Sequence, residues 1–170
     1  MTNAPMMPPV GTVLCRSRTL TWSDIDRFTE ITGDHNPLHY DESLASASRF
    51  GGIIVQGGVT SGLFNAIVAE DLPGPGTVFL QVNWSFRAPG RPGDTITAEV
   101  EVLECRDDKP IATLRTTLTN QHGETLIDGS AVVYRDPSIA LASADPSSAT
   151  PSGSQPPPGR PRAAEHAADR

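Results

Sequence analysis

Residues 57–72, GGVTSGLFNAIVAEDL, are apolar on almost every side of a helix, and behind them come four runs in which apolar residues recur at every second position. A helix with no polar face has to be enclosed. A period of two is that of a strand with one face turned to a core. In TVFLQVNWSF the shared face is Val78, Leu80, Val82, Trp84 and Phe86, and in DTITAEVEV it is Ile96, Ala98, Val100 and Val102. In PIATLRTTLTN it is Ala112, Leu114, Thr116 and Leu118, and ETLIDGSAVVYR closes the series less cleanly. The links APGRPGD, CRDDKP and NQHGE have turn chemistry and hairpin length, so an antiparallel meander is expected.

Upstream, TVLCRSRTL reads as a further strand. TWSDIDRFTEITG reads as a short amphipathic helix, with a Thr/Ser cap, acids in its first turn, Ile25, Phe28 and Ile31 on one side, and a closing glycine. DESLASAS adds a turn or two of helix. Five strands can enclose one helix only if the sheet curls around it, an α+β layer arrangement. The order of elements is that of the hotdog fold, an antiparallel five-stranded sheet wrapped around a long central helix. Sheet edges of this kind commonly pair across a two-fold axis, so a homodimer, a double hotdog, is expected by analogy.

Length allows one substantial core, placed at residues 11–136. Residues 1–10 are expected to form a flexible N-terminus. Residues 137–170 hold seven prolines and almost no large apolar side chain after Leu141, too little to offset the entropy of ordering, so a disordered tail is expected. Within it, QPPPGRPR reads as a solvated extension in preference to a polyproline ligand.

Residues 1–136 carry 10 basic and 17 acidic side chains, the whole of the net charge of −7, which disfavours nucleic acid as a partner. No apolar run approaches the roughly 18 residues that span a bilayer, and MTNAPMMPPVGT lacks the pattern of a secretory signal. A cytoplasmic protein with no membrane partner is expected. That placement makes NWS at Asn83 irrelevant as a glycosylation acceptor, and Cys15 and Cys105 read as reduced, packed thiols.

The stretch TGDHNPLHYDE, Thr32–Glu42, concentrates the ionisable groups. Taken alone, Asp34 reads as a helix-end cap or Asx turn and His39 as a satisfied loop histidine. His35, His39 and Asp41 make a conceivable metal set, but their spacing fits no strong template. The remaining reading is proton transfer: Asp34 and His39, five apart across the Asn36-Pro37 turn, can converge on one water. The glycines that open the buried helix supply unpaired N–H groups where negative charge is favoured.

GDHNPLHYDE followed by GGIIVQGG, together with FTEITGDHNPLHYDE, RFGGIIVQGG, LPGPGT and FRAPGRPGDT in one order, resembles the MaoC-like family of (R)-specific enoyl-CoA hydratases and 3-hydroxyacyl thioester dehydratases. The likeness covers about residues 12–135. It implies a lyase that hydrates trans-2-enoyl thioesters, on coenzyme A or acyl carrier protein, to (3R)-3-hydroxyacyl thioesters by syn addition. Asp34 and His39 would be the catalytic pair and the Gly57 N–H the oxyanion donor, with Gly58 adjacent. No metal and no cofactor beyond the substrate's own coenzyme A or phosphopantetheine is implied. The family's usual histidine before that glycine is Gln56 here, which keeps a hydrogen bond but carries no proton. Asn65 stands where the family often has a small polar residue facing the pocket and is a candidate to orient Asp34.

For the phosphates, Arg87 and Arg91 are the candidates with Arg49, and Lys109 less so. Phe64, Val68, Trp84 and Phe79 line an acyl tunnel or fill the core, core being preferred. A hotdog thioesterase and a non-catalytic acyl-thioester-binding subunit are the alternatives; the Asp34 and His39 pair argues against the second.

Overall fold

The computed structural model of this chain describes residues 7–139, and those residues form one sheet around one helix. Strand β1 (Val13–Thr19) is followed by α1 (Trp22–Thr32), a single 3₁₀ turn at Pro37–His39, α2 (Glu42–Ala47) and α3 (Gly57–Glu70). Then come β2 (Thr77–Phe86), β3 (Thr95–Cys105), β4 (Ile111–Thr119) and β5 (Thr125–Arg135). The sheet is antiparallel throughout, in the order β1-β3-β4-β5-β2.

Helix α3 lies in the concave side, buries Leu63, Phe64, Ile67 and Val68, and touches β1, β2, β3 and β4. This is the enclosed helix that its composition demands. Opposite it, Ile96, Ala98, Val100 and Val102 of β3 and Ala112, Leu114, Thr116 and Leu118 of β4 are all buried, as the period of two requires. Each large apolar side chain buried here contributes about 1.5–3 kcal/mol, so these faces hold the sheet closed on the helix.

The last strands do not form a four-stranded meander. Only β3, β4 and β5 are consecutive neighbours; β2 pairs with β5, from Thr77 opposite Arg135 to Phe86 opposite Ile127. The link from Arg87 to Asp94 therefore crosses the end of the sheet instead of turning a hairpin. It is held there by bonds from the Arg87 N–H to the Leu126 carbonyl, from the Val55 N–H to the Gly90 carbonyl, and from the Gly93 N–H to the Leu20 carbonyl. Gly90 allows the crossing, since a Cβ there would come within 2.9 Å of Leu20 Cδ1 and 3.0 Å of Thr60 Cγ2.

Strand β2 also departs from strict alternation. The register shifts between Phe79 and Gln81, so Phe79, Val82, Trp84 and Phe86 oppose Val133, Ala131, Gly129 and Ile127, while Val78 opposes Tyr134. A bulge of this kind exchanges the faces on its two sides. Val78, Leu80, Val82 and Phe86 are all exposed along this edge. On α1, Ile25 is buried as expected but Ile31 is 83% exposed, because α1 meets the core only through its Ile25 and Thr29 side.

The ends are tied down further than composition suggests. Met7 is buried, the Gly11 N–H bonds the Val102 carbonyl, and the Cys105 thiol donates to the Pro8 carbonyl at 3.4 Å. Residues 7–10 thus belong to the folded unit. Residues 137–139 begin a helical turn after Asp136, whose carboxylate accepts from the Ser138 N–H, and Ile139 packs on Gly76. Residues 1–6 and 140–170, with QPPPGRPR, lie outside the described residues. Cys105 is half-buried, whereas Cys15 is exposed on edge strand β1 and not packed. Among the described residues no helix is long and apolar enough to cross a membrane.

Candidate active site

Helix α1 stops at Gly33, whose φ of 75° is left-handed and whose N–H returns to the Thr29 carbonyl. The chain then makes two side-chain-locked turns. The Asp34 carboxylate accepts from the Asn36 N–H at 3.1 Å, and the Asn36 side chain accepts from the Leu38 N–H at 3.1 Å. Pro37 is the first residue of the 3₁₀ turn, which needs no N–H there. These turns swing His39 back toward Asp34.

His39 is buried, and its Nδ1 lies 2.7 Å from the Ile54 carbonyl. A carbonyl only accepts, so Nδ1 carries the proton and Nε2 is the free base position of the neutral ring. Nε2 stands 3.6 Å from Asp34 Oδ2, too far for a direct hydrogen bond and close enough for both to touch one water. The Ile54 N–H in turn donates to the Leu38 carbonyl, so the histidine turn and the segment leading to α3 hold each other.

Gln56 is the N-cap of α3, and its carbonyl accepts from the Val59 and Thr60 N–H groups. The Gly57 and Gly58 N–H groups come first and have no intrahelical acceptor in reach. The two glycines have different packing reasons. A Cβ on Gly58 would lie 2.2 Å from Phe28 Cζ, whereas one on Gly57 would lie 2.8 Å from Phe86 Cε1. Gly57 opens onto a cavity of about 510 Å³ whose walls include Arg49, Ile54, Thr60, Phe86 and the 87–91 link. Asp34 and His39 are not among its lining residues, and Ile54 joins them to it by lining the cavity and binding His39.

The other expected binding residues divide. Arg91 lines the cavity, but its guanidinium donates to the Phe50 and Ile53 carbonyls, which makes it a brace for that turn. Arg87 is bonded to both carboxylate oxygens of Asp128; that bond holds the guanidinium above its ordinary value and Asp128 below the usual carboxylate range. Arg49 is also exposed in the cavity wall, with its guanidinium 5.3 Å from the centre of the Phe50 ring. Lys109 sits in the β3-β4 turn, at the sheet end away from the cavity.

Asn65 is exposed, and the bond that orients the Asp34 carboxylate comes from the Asn36 N–H instead. The Gln56 side chain is 2% exposed and turned away from the cavity, with Nε2 donating to the Ile25 carbonyl at 3.3 Å and Thr29 Oγ1 at 3.1 Å. Its amide nitrogen is spent on α1, and Gln56 is not among the residues that line the cavity. Phe64 and Val68 are fully buried, and Trp84 packs on Phe64 and Phe79 while its Nε1 donates to Thr116, so these four fill the core. Asp41 caps α2 by accepting from the Leu44 N–H, and among the described residues no cluster of metal-binding side chains forms. Sequence reasoning passed over Ile54 and Thr29, whose parts depend on contacts from distant segments.

Known proteins share this architecture and are similar in sequence. An (R)-specific enoyl-CoA hydratase of Aeromonas caviae is 39% identical over 124 residues, 73% of this chain and 92% of its own length. A 3-hydroxybutyryl-CoA dehydratase of Methylorubrum extorquens is also 39% identical over 124 residues, 73% of this chain and 78% of its own. The solved (R)-hydratase from A. caviae involved in PHA biosynthesis superposes with a TM-score of 0.72 at 37% identity, covering 76% of this chain and 98% of that one. The MaoC like domain matches residues 8–123. With its sheet wrapped around α3 and the Asp34 turn at its place in the motif, the chain belongs to the MaoC-like family.

Proposed function

We propose that this protein catalyses the reversible addition of water to trans-2-enoyl-CoA thioesters, giving (3R)-3-hydroxyacyl-CoA by syn addition. The observation that carries this reading is the 3.6 Å approach of His39 Nε2 to Asp34 Oδ2, with Nδ1 committed to the Ile54 carbonyl. The pair takes one proton from a water while its oxygen bonds to C3 of the enoyl group. Electron density moves to the thioester oxygen, where the Gly57 N–H at the positive end of α3 stabilises it, and the pair then returns a proton to C2. Asp34 and His39 act here as one coupled unit. The relatives named as CoA hydratase and CoA dehydratase support the reaction, and Arg49 supplies a cation for the phosphate of coenzyme A or of a carrier protein's phosphopantetheine.

The working unit in this proposal is a homodimer. Edge strand β2 exposes Val78, Leu80, Val82 and Phe86, an apolar edge suited to pairing with the same edge of a second copy.

Purified protein with crotonyl-CoA tests the chemistry when enoyl absorbance and free thiol are followed together. Loss of absorbance without thiol is expected. Thiol release would make the protein a thioesterase, and no turnover with any enoyl chain length would leave it a binding subunit.

A further inference from the structure

The hydroxyl of Thr29 is the point where three parts of the site meet. Thr29 is 6% exposed, in the last turn of α1. Its Oγ1 donates to the Asp34 carbonyl at 2.8 Å, and it accepts from Gln56 Nε2 at 3.1 Å and from the Tyr40 hydroxyl at 2.5 Å. A threonine hydroxyl has one proton and two lone pairs, so these three bonds use it completely. Their directions are forced. The Asp34 carbonyl can only accept and the Gln56 amide nitrogen can only donate, which leaves the Tyr40 hydroxyl as the second donor.

The three partners come from the three pieces that make the site. Asp34 carries the carboxylate, Tyr40 follows His39 at the end of the 3₁₀ turn, and Gln56 caps α3 immediately before Gly57. The Asp34 side chain is 39% exposed, and the Asn36 N–H holds only one of its oxygens. Its backbone is what fixes its distance from His39, and the Thr29 hydroxyl holds that backbone. We infer that Thr29 is a positioning residue for the Asp34 and His39 pair, with Tyr40 and Gln56 as its anchors, a role that rests on the hydratase reading above. Gln56 thereby acquires a use within the frame of the site. Its side chain ties the N-terminus of α3 to the end of α1, and an amide keeps the same donor at every pH.

Displacement of a reacting group by about 1 Å can cost about 10²-fold in rate, which sets the scale of the test. Thr29→Val keeps the branched shape and removes the hydroxyl; Thr29→Ser keeps the hydroxyl and removes a methyl group. With full-length protein and crotonyl-CoA, T29V is expected to lower kcat about 10- to 100-fold with KM within about two-fold, while T29S stays within about three-fold of wild type in kcat. A role in packing alone predicts the reverse order, because the serine leaves the larger void. Wild-type kcat in folded T29V, or a loss in T29S as large as in T29V, overturns the inference. Where T29V does not fold, Tyr40→Phe decides: removing one anchor from this half-exposed side chain should cost about 3- to 10-fold in kcat, and an unchanged kcat overturns the inference. A wild-type protein inactive on enoyl-CoA overturns the hydratase reading and this role together, whereas an active wild type with unaffected variants removes this role alone.

Discussion

His39 and Asp34 face each other across 3.6 Å from opposite environments: the histidine side chain is 8% exposed and the aspartate side chain 39%. The buried partner has its second nitrogen fixed on the Ile54 carbonyl, and the exposed partner is reached by solvent. In the proposed reaction the substrate water would meet a fixed imidazole nitrogen on one side and an adjustable carboxylate on the other.

Replacing either member should stop the reaction without unfolding the protein. Asp34→Asn and His39→Gln are each expected to lower kcat for crotonyl-CoA by at least about 10²- to 10⁴-fold, the usual worth of a placed proton-transfer group. Enoyl absorbance gives the rate and far-ultraviolet circular dichroism the fold. Activity retained in both variants would show that the pair is not the catalytic one.

The two glycines that open α3 should respond differently to alanine. At Gly58 the new Cβ would lie 2.2 Å from the Phe28 ring, so Gly58→Ala is expected to destabilise by about 1–3 kcal/mol in urea unfolding. At Gly57 it meets the exposed Phe86 ring, which can swing aside, and Gly57→Ala should lose less stability. Equal midpoints for the two variants would contradict this packing account.

Arg91 and Arg49, both in the cavity wall, should separate by kind of effect. Arg91→Met removes donors from the Phe50 and Ile53 carbonyls and is expected to cost about 1.5–3 kcal/mol of stability. Arg49→Ala should leave the melting temperature unchanged and raise KM for crotonyl-CoA. A stable Arg91→Met protein with raised KM would reassign Arg91 to the substrate.

Asp24 should make stability fall in acid. Burial raises the pKa of its carboxyl, but hydrogen bonds from Arg18 and from the Thr21 N–H and hydroxyl outweigh this and leave it below its ordinary value. A folded pKa below the unfolded one means that the stabilisation is complete above the unfolded pKa near about 4 and is lost as pH falls through the lower folded value. Asp24→Asn should therefore cost about 1 kcal/mol at pH 7, and the gap to wild type should close in acid titrations of the melting temperature. A constant gap would exclude this carboxylate as the cause.

The edge of β2 can be tested by charge. Val82→Lys places a charge among Val78, Leu80 and Phe86 and should shift sedimentation toward a monomer. A dimer of unchanged strength would move the proposed interface elsewhere.

The motif residues, the enclosed helix and the faces of β3 and β4 were legible in the sequence because each is a local pattern. Periodicity reports which side of one element is apolar, and the Asn36-Pro37 turn places Asp34 and His39 within six residues of each other. The pairing of β2 was not legible, since a link of seven or eight residues with prolines and glycines serves a hairpin and a crossover equally well. The ladder with β5 and the tight passage at Gly90 decide between them.

The charges and amides of the site depended wholly on tertiary structure. The side chains of Arg91 and Gln56 find their partners on carbonyls and a hydroxyl brought up by other segments, and the Thr29 hydroxyl, besides the nearby Asp34 carbonyl, meets Tyr40 and Gln56. The sequence alone determined that a helix must be enclosed and which turn carries the acid and the histidine. Folding alone decided which polar groups face the cavity and which are spent on the frame, because a hydrogen bond between distant segments leaves no period in the chain.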